Sequence, residues 1–376
     1  MRIAIQAADL DYYRIDGTRV YILNMLRRFG KLSPEDEFII YHKKDFNPEL
    51  APPNFSCYQV KKITSPLCWT QTRLAYELIK DKPDALWMPM HNLPLLKNKK
   101  IKTTVTLHDL AFKIFPHYFL PGDLFKLNFL TNLAVKRADK IIAVSQSSKK
   151  DILKFYPSVA PEKIRVIYHG FDAELFNQAR NEEKEKALKD KLGIKGAYLL
   201  YSGAIQPRKN LKVLIAAFEW LKNRKADDEL KKIQLVLAGE KAWMSDEIIN
   251  EAKASQYSSD IILPGKIKFE DIGHLMRGAS VYVFPSLYEG FGITVLEAMA
   301  AGAPVICSRN SSLPEVGGEA ALYFDDENSS ADLAEKIERV LKNQDLKKDL
   351  IKKGLEQIKK FSWDKCAQET LEWIKE

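Results

Sequence analysis

Two doubly wound α/β domains are the fold class this sequence predicts, and three observations predict it. The chain has 376 residues, too many for one compact core and enough for two domains of about 150–200 residues each. Short apolar runs of strand length alternate with helix-period stretches along its whole length, the pattern of parallel sheets wrapped by helices. That alternation starts afresh at Tyr198, after the charged, apolar-poor run from Ala179 to Lys191, which reads as a hinge. The expected domains are residues 1–190 and 191–360, with a terminal helix over 361–376.

Arg2 to Ala8 reads as the first buried strand, Asp9 to Gly17 as a polar loop, and Thr18 to Arg28 as a helix with a basic end. Gly17 stands alone in that loop, and without a G-x-G-x-x-G there is no dinucleotide signature. Phe38 to His42, Ser56 to Val60, Ala85 to Met88 and Thr103 to Leu107 follow as strands, with Thr70 to Ile79 helical. His108 and Asp109 stand where the Thr103 strand ends, the edge at which such sheets place functional side chains. The imidazole there can contact a ligand hydroxyl or polarise a leaving group, and Asp109 can fix its tautomer or bind separately. As a bare dipeptide, the pair is equally a packed loop. His91 and His117 fall nearby in chain order without a decisive partner.

Leu120 to Arg137 is an amphipathic helix with a basic end, and Lys97, Lys99, Lys100 and Lys102 cluster before it. It is read first as a core-packing helix and second as an element that rests on an anionic membrane surface. Ile141 to Val144 and Arg165 to Ile167 are the last strands of this half, with a helix beginning at Ser145. The turn Tyr168-His-Gly-Phe-Asp172 precedes the hinge.

In the second half, Leu199 to Ser202 is a strand, Gly203 a turn and Asn210 to Leu221 an amphipathic helix. Between them lie Gln206-Pro207-Arg208-Lys209. The planar fork of Arg208 and the point charge of Lys209, beside helix amides, make a clamp for a diphosphate, or else a basic surface loop. Ile233 to Ala238 and Ile261 to Leu263 are strands ending in Gly239-Glu240 and Pro264-Gly265-Lys266. The most informative stretch is YVFPSLYEGFGITVLEAMAAGAPVI, Tyr282 to Ile306. It reads as strand, glycine loop, helix and strand: one βαβ unit, with the helix from Thr294 to Ala301 stopped by Gly302 and Pro304. The amides of Phe291, Gly292, Ile293, Thr294 and Val295 open that helix and form a seat for a phosphate. Gly290 and Gly292 let the backbone approach a ligand. Glu289 in the loop and Glu297 in the helix flank the seat, a set suited to a sugar nucleotide. The plainer reading is a buried βαβ unit with a surface Glu at each end.

Composition narrows the function. Apolar residues make up 46% and charged residues 29%, ordinary for a soluble globular protein. No apolar run reaches the roughly 18–20 residues of a membrane span, and the N-terminus has no signal-peptide pattern. Four cysteines, Cys57, Cys68, Cys307 and Cys366, lie far apart without a CxxC pair and read as mostly buried thiols of a cytoplasmic protein. Residues 1–170 carry 27 Lys and Arg against 16 Asp and Glu, and the remainder 31 against 34, together the net +8. The basic first half suits an acidic partner, while the missing zinc-finger, basic-aromatic and heptad patterns argue against nucleic acid. No Asp-x-Asp stands at a strand end, so no metal site is expected.

Glu289-Gly-Phe-Gly followed by Glu297 resembles the Glu-x7-Glu motif of retaining glycosyltransferases of the GT-B fold, most closely glycosyltransferase family 4, and the likeness runs from Met1 to the last helix. It implies two Rossmann-like domains facing across a central cleft, the first on the acceptor side and the second binding the donor, with the terminal helix crossing back to the first. Gly203-x-x-x-Pro207-Arg208-Lys209-Asn210 matches the family's diphosphate-binding pattern, which makes Arg208 and Lys209 the ligands of the leaving group. By the same resemblance Glu289 holds the donor sugar, Glu297 the ribose, Lys266 and Ile267 lie against the base, and His108 touches the sugar. Gly17 and Asp109 fall in the donor-facing loops of the first domain. The implied reaction moves a hexose from a nucleotide diphosphate sugar, GDP-mannose favoured, to a hydroxyl of a glycan or lipid-linked acceptor. Configuration is retained, with neither metal nor cofactor. A UDP-glucose or UDP-N-acetylglucosamine enzyme, a phosphorylase-like enzyme with pyridoxal phosphate, and a non-catalytic nucleotide-sugar module remain open alternatives. The expected place is the cytoplasm, with peripheral residence on the inner membrane face open.

Overall fold

In the computed structural model, residues 1–13, 15–64, 68–177, 179–224 and 228–376 are described. Contacts divide the chain into two compact units, Met1–Gly170 with Phe361–Glu376, and Phe171–Lys360.

The first unit is built on seven parallel strands: β1 (Arg2–Gln6), β2 (Glu37–His42), β3 (Tyr58–Lys62), β4 (Ala85–Met88), β5 (Lys102–Leu107), β6 (Lys140–Ala143) and β7 (Ile164–Val166). Their order is β3-β2-β1-β4-β5-β6-β7. The direction of winding reverses between β1 and β4, so the loops after these strands diverge and leave a crevice at the carboxyl edge. Apolar residues dominate β1, β2 and β4 on both faces, as strands covered on both sides require, and β5 buries Thr103, Thr104 and Thr106 beside Val105 and Leu107. Helix α1 (Gly17–Leu32) is capped by Asp16, whose side chain accepts from the Arg19 amide. Helix α2 (Pro121–Arg137) fully buries only Thr131, Ala134 and Val135, so the core-packing reading holds for one face alone. Phe125 and Phe129 stay exposed on it.

The second unit begins with Phe171, earlier than the boundary at residue 190. The charged run read as a hinge is largely helix α3 (Glu182–Leu192), which buries Glu185 and Leu188 and packs on the helix Phe269–Gly278. Phe176 is wholly buried, and its carbonyl accepts from Arg277 Nη2 at 2.9 Å. Charge density hid this, because the buried side of the run carries only Glu185 and Leu188 while Ala187 is exposed. Six parallel strands follow: β8 (Tyr198–Ser202), β9 (Gln234–Ala238), β10 (Ile261–Gly265), β11 (Val281–Phe284), β12 (Val305–Ser308) and β13 (Ala321–Phe324), in the order β10-β9-β8-β11-β12-β13. Winding reverses between β8 and β11, which pair directly, Val281 beside Leu199. Helices α4 (Leu211–Lys222) and α5 (Ile293–Ala300) follow those two strands.

Helix α6 (Trp363–Lys375) ends the chain and lies against α1 in the first unit. Gly170 meets it so closely that a Cβ there would fall 2.1 Å from the Trp363 nitrogen. Among the described residues no helix is long and apolar enough to cross a membrane. Cys307 and Cys366 are buried, Cys57 is half-buried and Cys68 is exposed.

Candidate active site

The second unit concentrates its chemistry at the β8/β11 reversal. The segment after β8 carries Arg208 and Lys209, and the segment after β11 carries Glu289. Lys209 Nζ donates to Glu289 Oε1 at 2.5 Å, and Arg208 Nη1 lies 3.5 Å from Oε2. The Ser286 hydroxyl donates to Oε1 at 2.5 Å. Arg208 Nη1 also donates to the Tyr288 carbonyl, while the Leu287 amide donates to the Arg208 carbonyl at 2.9 Å. The two loops are therefore one stitched structure. Lys209 is buried, its ammonium 5.0 Å from the centre of the Phe284 ring. Burial by itself pushes the Glu289 carboxyl up, but the adjacent Lys209 and Arg208 charges outweigh it and hold the carboxyl below its ordinary range.

The loop after β12 supports this arrangement, and the sequence reading missed it. Ser308 Oγ donates to the Ser286 carbonyl at 2.6 Å and Asn310 Nδ2 to the same oxygen at 3.1 Å. Ser311 Oγ accepts from the Glu289 amide at 3.0 Å. Ser312 Oγ donates to the carbonyls of Glu289 and Phe291 at 3.0 and 2.7 Å. The available signal was a run of small hydroxyl residues directly after a buried strand, a pattern that fixes neighbouring backbone.

Gly292 precedes α5 with φ of +102°, a conformation that glycine adopts without strain, and no side chain caps the helix there. Of the amides expected to seat a phosphate, that of Val295 already donates to the Gly292 carbonyl at 3.0 Å. Ile293 and Thr294 form the first turn of α5 behind Gly290 and Phe291. Glu297 follows one turn later, where burial first and Asp172 second push its carboxyl up to about 8. Gly203 ends β8 with φ of +146°, and a Cβ at Gly239 would fall 1.8 Å from its carbonyl oxygen. Lys266 and Ile267 follow β10, two strands from β8 and hence about 10 Å along the same edge. The Lys266 ammonium pairs with Glu240 at 3.2 Å.

The first unit holds His108, Asp109 and Gly17. His108 Nε2 lies 2.9 Å from the Pro89 carbonyl oxygen. A carbonyl only accepts, so Nε2 carries the proton and Nδ1 is the acceptor. The ring sits 5.1 Å from Tyr21 and 5.4 Å from His169, centre to centre. Burial pushes its pKa below the ordinary value against the raising effects of Pro89, Asp109 and Asp16. The tautomer is thus fixed by Pro89 rather than by Asp109. Asp109 instead accepts from the Ala111 amide at 3.0 Å, closing the turn after β5. Gly17 is the first residue of α1. Among the described residues, no three His, Cys, Asp or Glu side chains are placed to hold a metal ion.

The family profile described as Glycosyltransferase Family 4 matches residues 15–175, and that of Glycosyl transferases group 1 matches residues 181–357. The chain belongs to these glycosyltransferases. Among curated relatives, this glycosyltransferase is 28% identical to O-antigen chain mannosyltransferase B of Escherichia coli over 276 residues, 73% of the chain and 71% of the relative. It is 30% identical to the uncharacterized glycosyltransferase MJ1178 of Methanocaldococcus jannaschii over 277 residues, 73% of the chain and 68% of the relative. Serotype-specific mannosyltransferase WbdA of Escherichia coli shares 30% over 289 residues, 76% of the chain, but the glycosyltransferase spans only 34% of that longer protein. Anabaena HepE in complex with UDP-glucose superposes with a TM-score of 0.76, 16% identity and coverage of 99% and 98% of the two chains. At that identity the likeness establishes the GT-B fold of the glycosyltransferase and no more.

Proposed function

We propose that this glycosyltransferase transfers a hexose, mannose from GDP-mannose in the favoured reading, to a hydroxyl of a glycan or lipid-linked acceptor with retention of configuration. The observation that carries the proposal is the buried Arg208–Lys209–Glu289 cluster at the β8/β11 reversal. Two cations held side by side at one strand end can stabilise a departing diphosphate. Lys209, now neutralised by Glu289, turns to the diphosphate, and the freed Glu289 carboxylate accepts from hydroxyls of the donor sugar. The Phe291 to Thr294 backbone lies along the phosphates, and Glu297 accepts from the ribose hydroxyls. Lys266 and Ile267 border the base. His108 offers Nδ1 to a sugar hydroxyl, with Gly17 and Asp109 shaping the loops around it. Neutralisation of the leaving group is assigned to Arg208 and Lys209, so the reaction proceeds without a metal ion or other cofactor. The mannose preference rests on the named activities of the Escherichia coli relatives, and residence on the cytoplasmic face of a membrane would suit a lipid-linked acceptor.

Thermal unfolding measured with GDP, UDP, GDP-mannose, UDP-glucose and UDP-N-acetylglucosamine tests the donor. GDP species should stabilise the protein more than UDP species, and Glu297→Ala should abolish the effect. Indifference to every nucleotide would end the proposal, and a preference for UDP species would reassign the donor. Product stereochemistry by NMR, with and without a chelator, tests retention and metal independence.

A further inference from the structure

The second unit leaves few large apolar side chains in water, and they are not scattered. Among its described residues, Trp243, Met244 and Phe269 are 42%, 54% and 55% exposed, with Leu355 at 37%. Trp243 and Met244 form the turn after β9, and Phe269 opens the helix that follows β10. Met244 has φ of +57°, a left-handed conformation that is strained for a residue with a side chain. Strain of that kind persists where the surrounding structure fixes a turn, and it gathers at ligand-binding segments. Apolar surface collected at one strand edge points the same way.

Hydrogen bonds tie this turn to the donor cluster. The Ile205 amide donates to the Glu240 carbonyl at 2.9 Å, and the Ala242 amide donates to the Ile205 carbonyl at 3.0 Å. Ile205 belongs to the segment after β8 that carries Arg208 and Lys209. On the other side, the Gly239 amide donates to the Gly265 carbonyl at 2.8 Å, next to Lys266. The turn thus stands one strand from the diphosphate clamp, about 5 Å along the edge, and one strand from Lys266. Glu240 and Lys266, both exposed, pair at 3.2 Å. An exposed ion pair contributes little, so a ligand opens it at small cost.

The chemistry of these groups names the occupant. A carboxylate only accepts hydrogen bonds and an ammonium only donates them. Guanine presents the complement, an acceptor at O6 beside two donors, N1–H and the N2 amino group. Uracil places its N3–H between two carbonyl oxygens, so a carboxylate bound there would face an acceptor. A purine also covers more of an indole ring than a pyrimidine does.

We infer that Trp243 stacks on the base of the donor nucleotide, while Glu240 accepts from N1–H and the N2 amino group of a guanine and Lys266 donates to O6. These residues set the preference for GDP over UDP. The inference rests on the nucleotide-sugar reading above and adds the groups that select its base.

Titration calorimetry with GDP, inosine diphosphate, UDP and inorganic pyrophosphate tests it. The parent should bind GDP at least about tenfold more tightly than UDP or inosine diphosphate, which lacks the N2 amino group. Glu240→Gln should bring GDP and inosine diphosphate level. Trp243→Ala should weaken GDP about tenfold or more, and Trp243→Phe should restore most of that loss. Quenching of tryptophan fluorescence by GDP should fall in Trp243→Phe even though binding is kept. Pyrophosphate has no base and should bind parent and variants equally, so a folding defect cannot imitate the result. Equal affinity of the parent for GDP and inosine diphosphate, a preference for UDP, or a Trp243→Ala variant that binds GDP as tightly as the parent would overturn the inference, with the diphosphate site left standing. A parent that binds neither nucleotide nor pyrophosphate would overturn the donor reading itself, and this inference with it.

Discussion

Lys209 and Glu289 each make the other's burial tolerable. Removing the ammonium by Lys209→Ala leaves the Glu289 carboxylate facing Arg208 at 3.5 Å and the Ser286 hydroxyl. Breaking a buried pair from one side costs about 3 kcal/mol, so the variant should unfold earlier in denaturant, and Lys209→Ala with Glu289→Ala should regain part of the loss. Turnover behaves differently: each single variant, and Arg208→Ala, should lose roughly 100- to 1,000-fold in rate, with no recovery in the double. Recovery of turnover in the double variant would exclude the pair from the chemistry. Glu297 gives a second residue-scale test through pH. Its folded pKa of about 8 lies above the ordinary 4.5. Below the ordinary value both folded and unfolded chains hold the proton, whereas between the two values only the folded chain does. Stability contributed at this position therefore falls as pH rises from about 4.5 to 8 and is flat above that. Glu297→Gln should match the parent in melting temperature near pH 4.5 and exceed it at pH 9; a constant difference across the range would refute the shift.

Elements were the most legible scale, because period and turn residues are local properties. The strands at Phe38, Ala85, Thr103, Leu199 and Tyr282 can be placed within a residue or two because each is a short run of apolar, β-branched or aromatic residues between breakers. Strand β13, Ala321–Phe324, passed unseen: it is four residues long and follows Gly317-Gly318-Glu319 with no alternation to mark it. Helix α3 reads as a hinge because composition speaks to solvation and is silent about which face is covered. At the candidate site, Arg208, Lys209 and Glu289 are legible as charges in loops after predicted strands and Glu297 as a charge in the helix that follows, and the structure joins the first three. The Ser308–Ser312 support was illegible, since its work is done through backbone atoms that any sequence has. The entrance to α5 permits a test of how strictly geometry governs the site. Gly292 has φ of +102°, and a Cβ there would lie 3.0 Å from Leu313 Cδ2. Gly292→Ala should cost about 1–2 kcal/mol of stability and diminish the nucleotide-induced rise in melting temperature. An alanine variant as stable and as responsive as the parent would show that the turn needs no left-handed residue.

At the scale of the whole molecule, the chain leaves its first unit at Gly170 and returns to it at Phe361. The returning segment is bonded to the early chain at several places. Arg28 Nε donates to Asp364 at 2.5 Å, Lys140 Nζ donates to the Trp373 carbonyl at 2.8 Å, and Lys375 pairs with Asp36. Trp363 is buried beside Tyr21 and His169, so α6 fills part of a core otherwise made by the first 170 residues. Such an arrangement couples the two ends of the sequence in stability, although the strands of the first unit are complete without α6. A chain ending at Lys360 should therefore lose cooperative unfolding of the first unit while the second unit keeps its own transition and its response to nucleotides. A peptide spanning Phe361–Glu376 added to it should restore the lost transition in proportion to peptide concentration, because binding the folded form alone stabilises it by mass action. Trp363→Ala in the peptide should abolish this rescue, given the roughly 3–5 kcal/mol that a buried tryptophan contributes. If the shortened chain melted as the full chain does, the returning helix would be ornament on a finished fold, and the packing at Gly170 would have no energetic meaning.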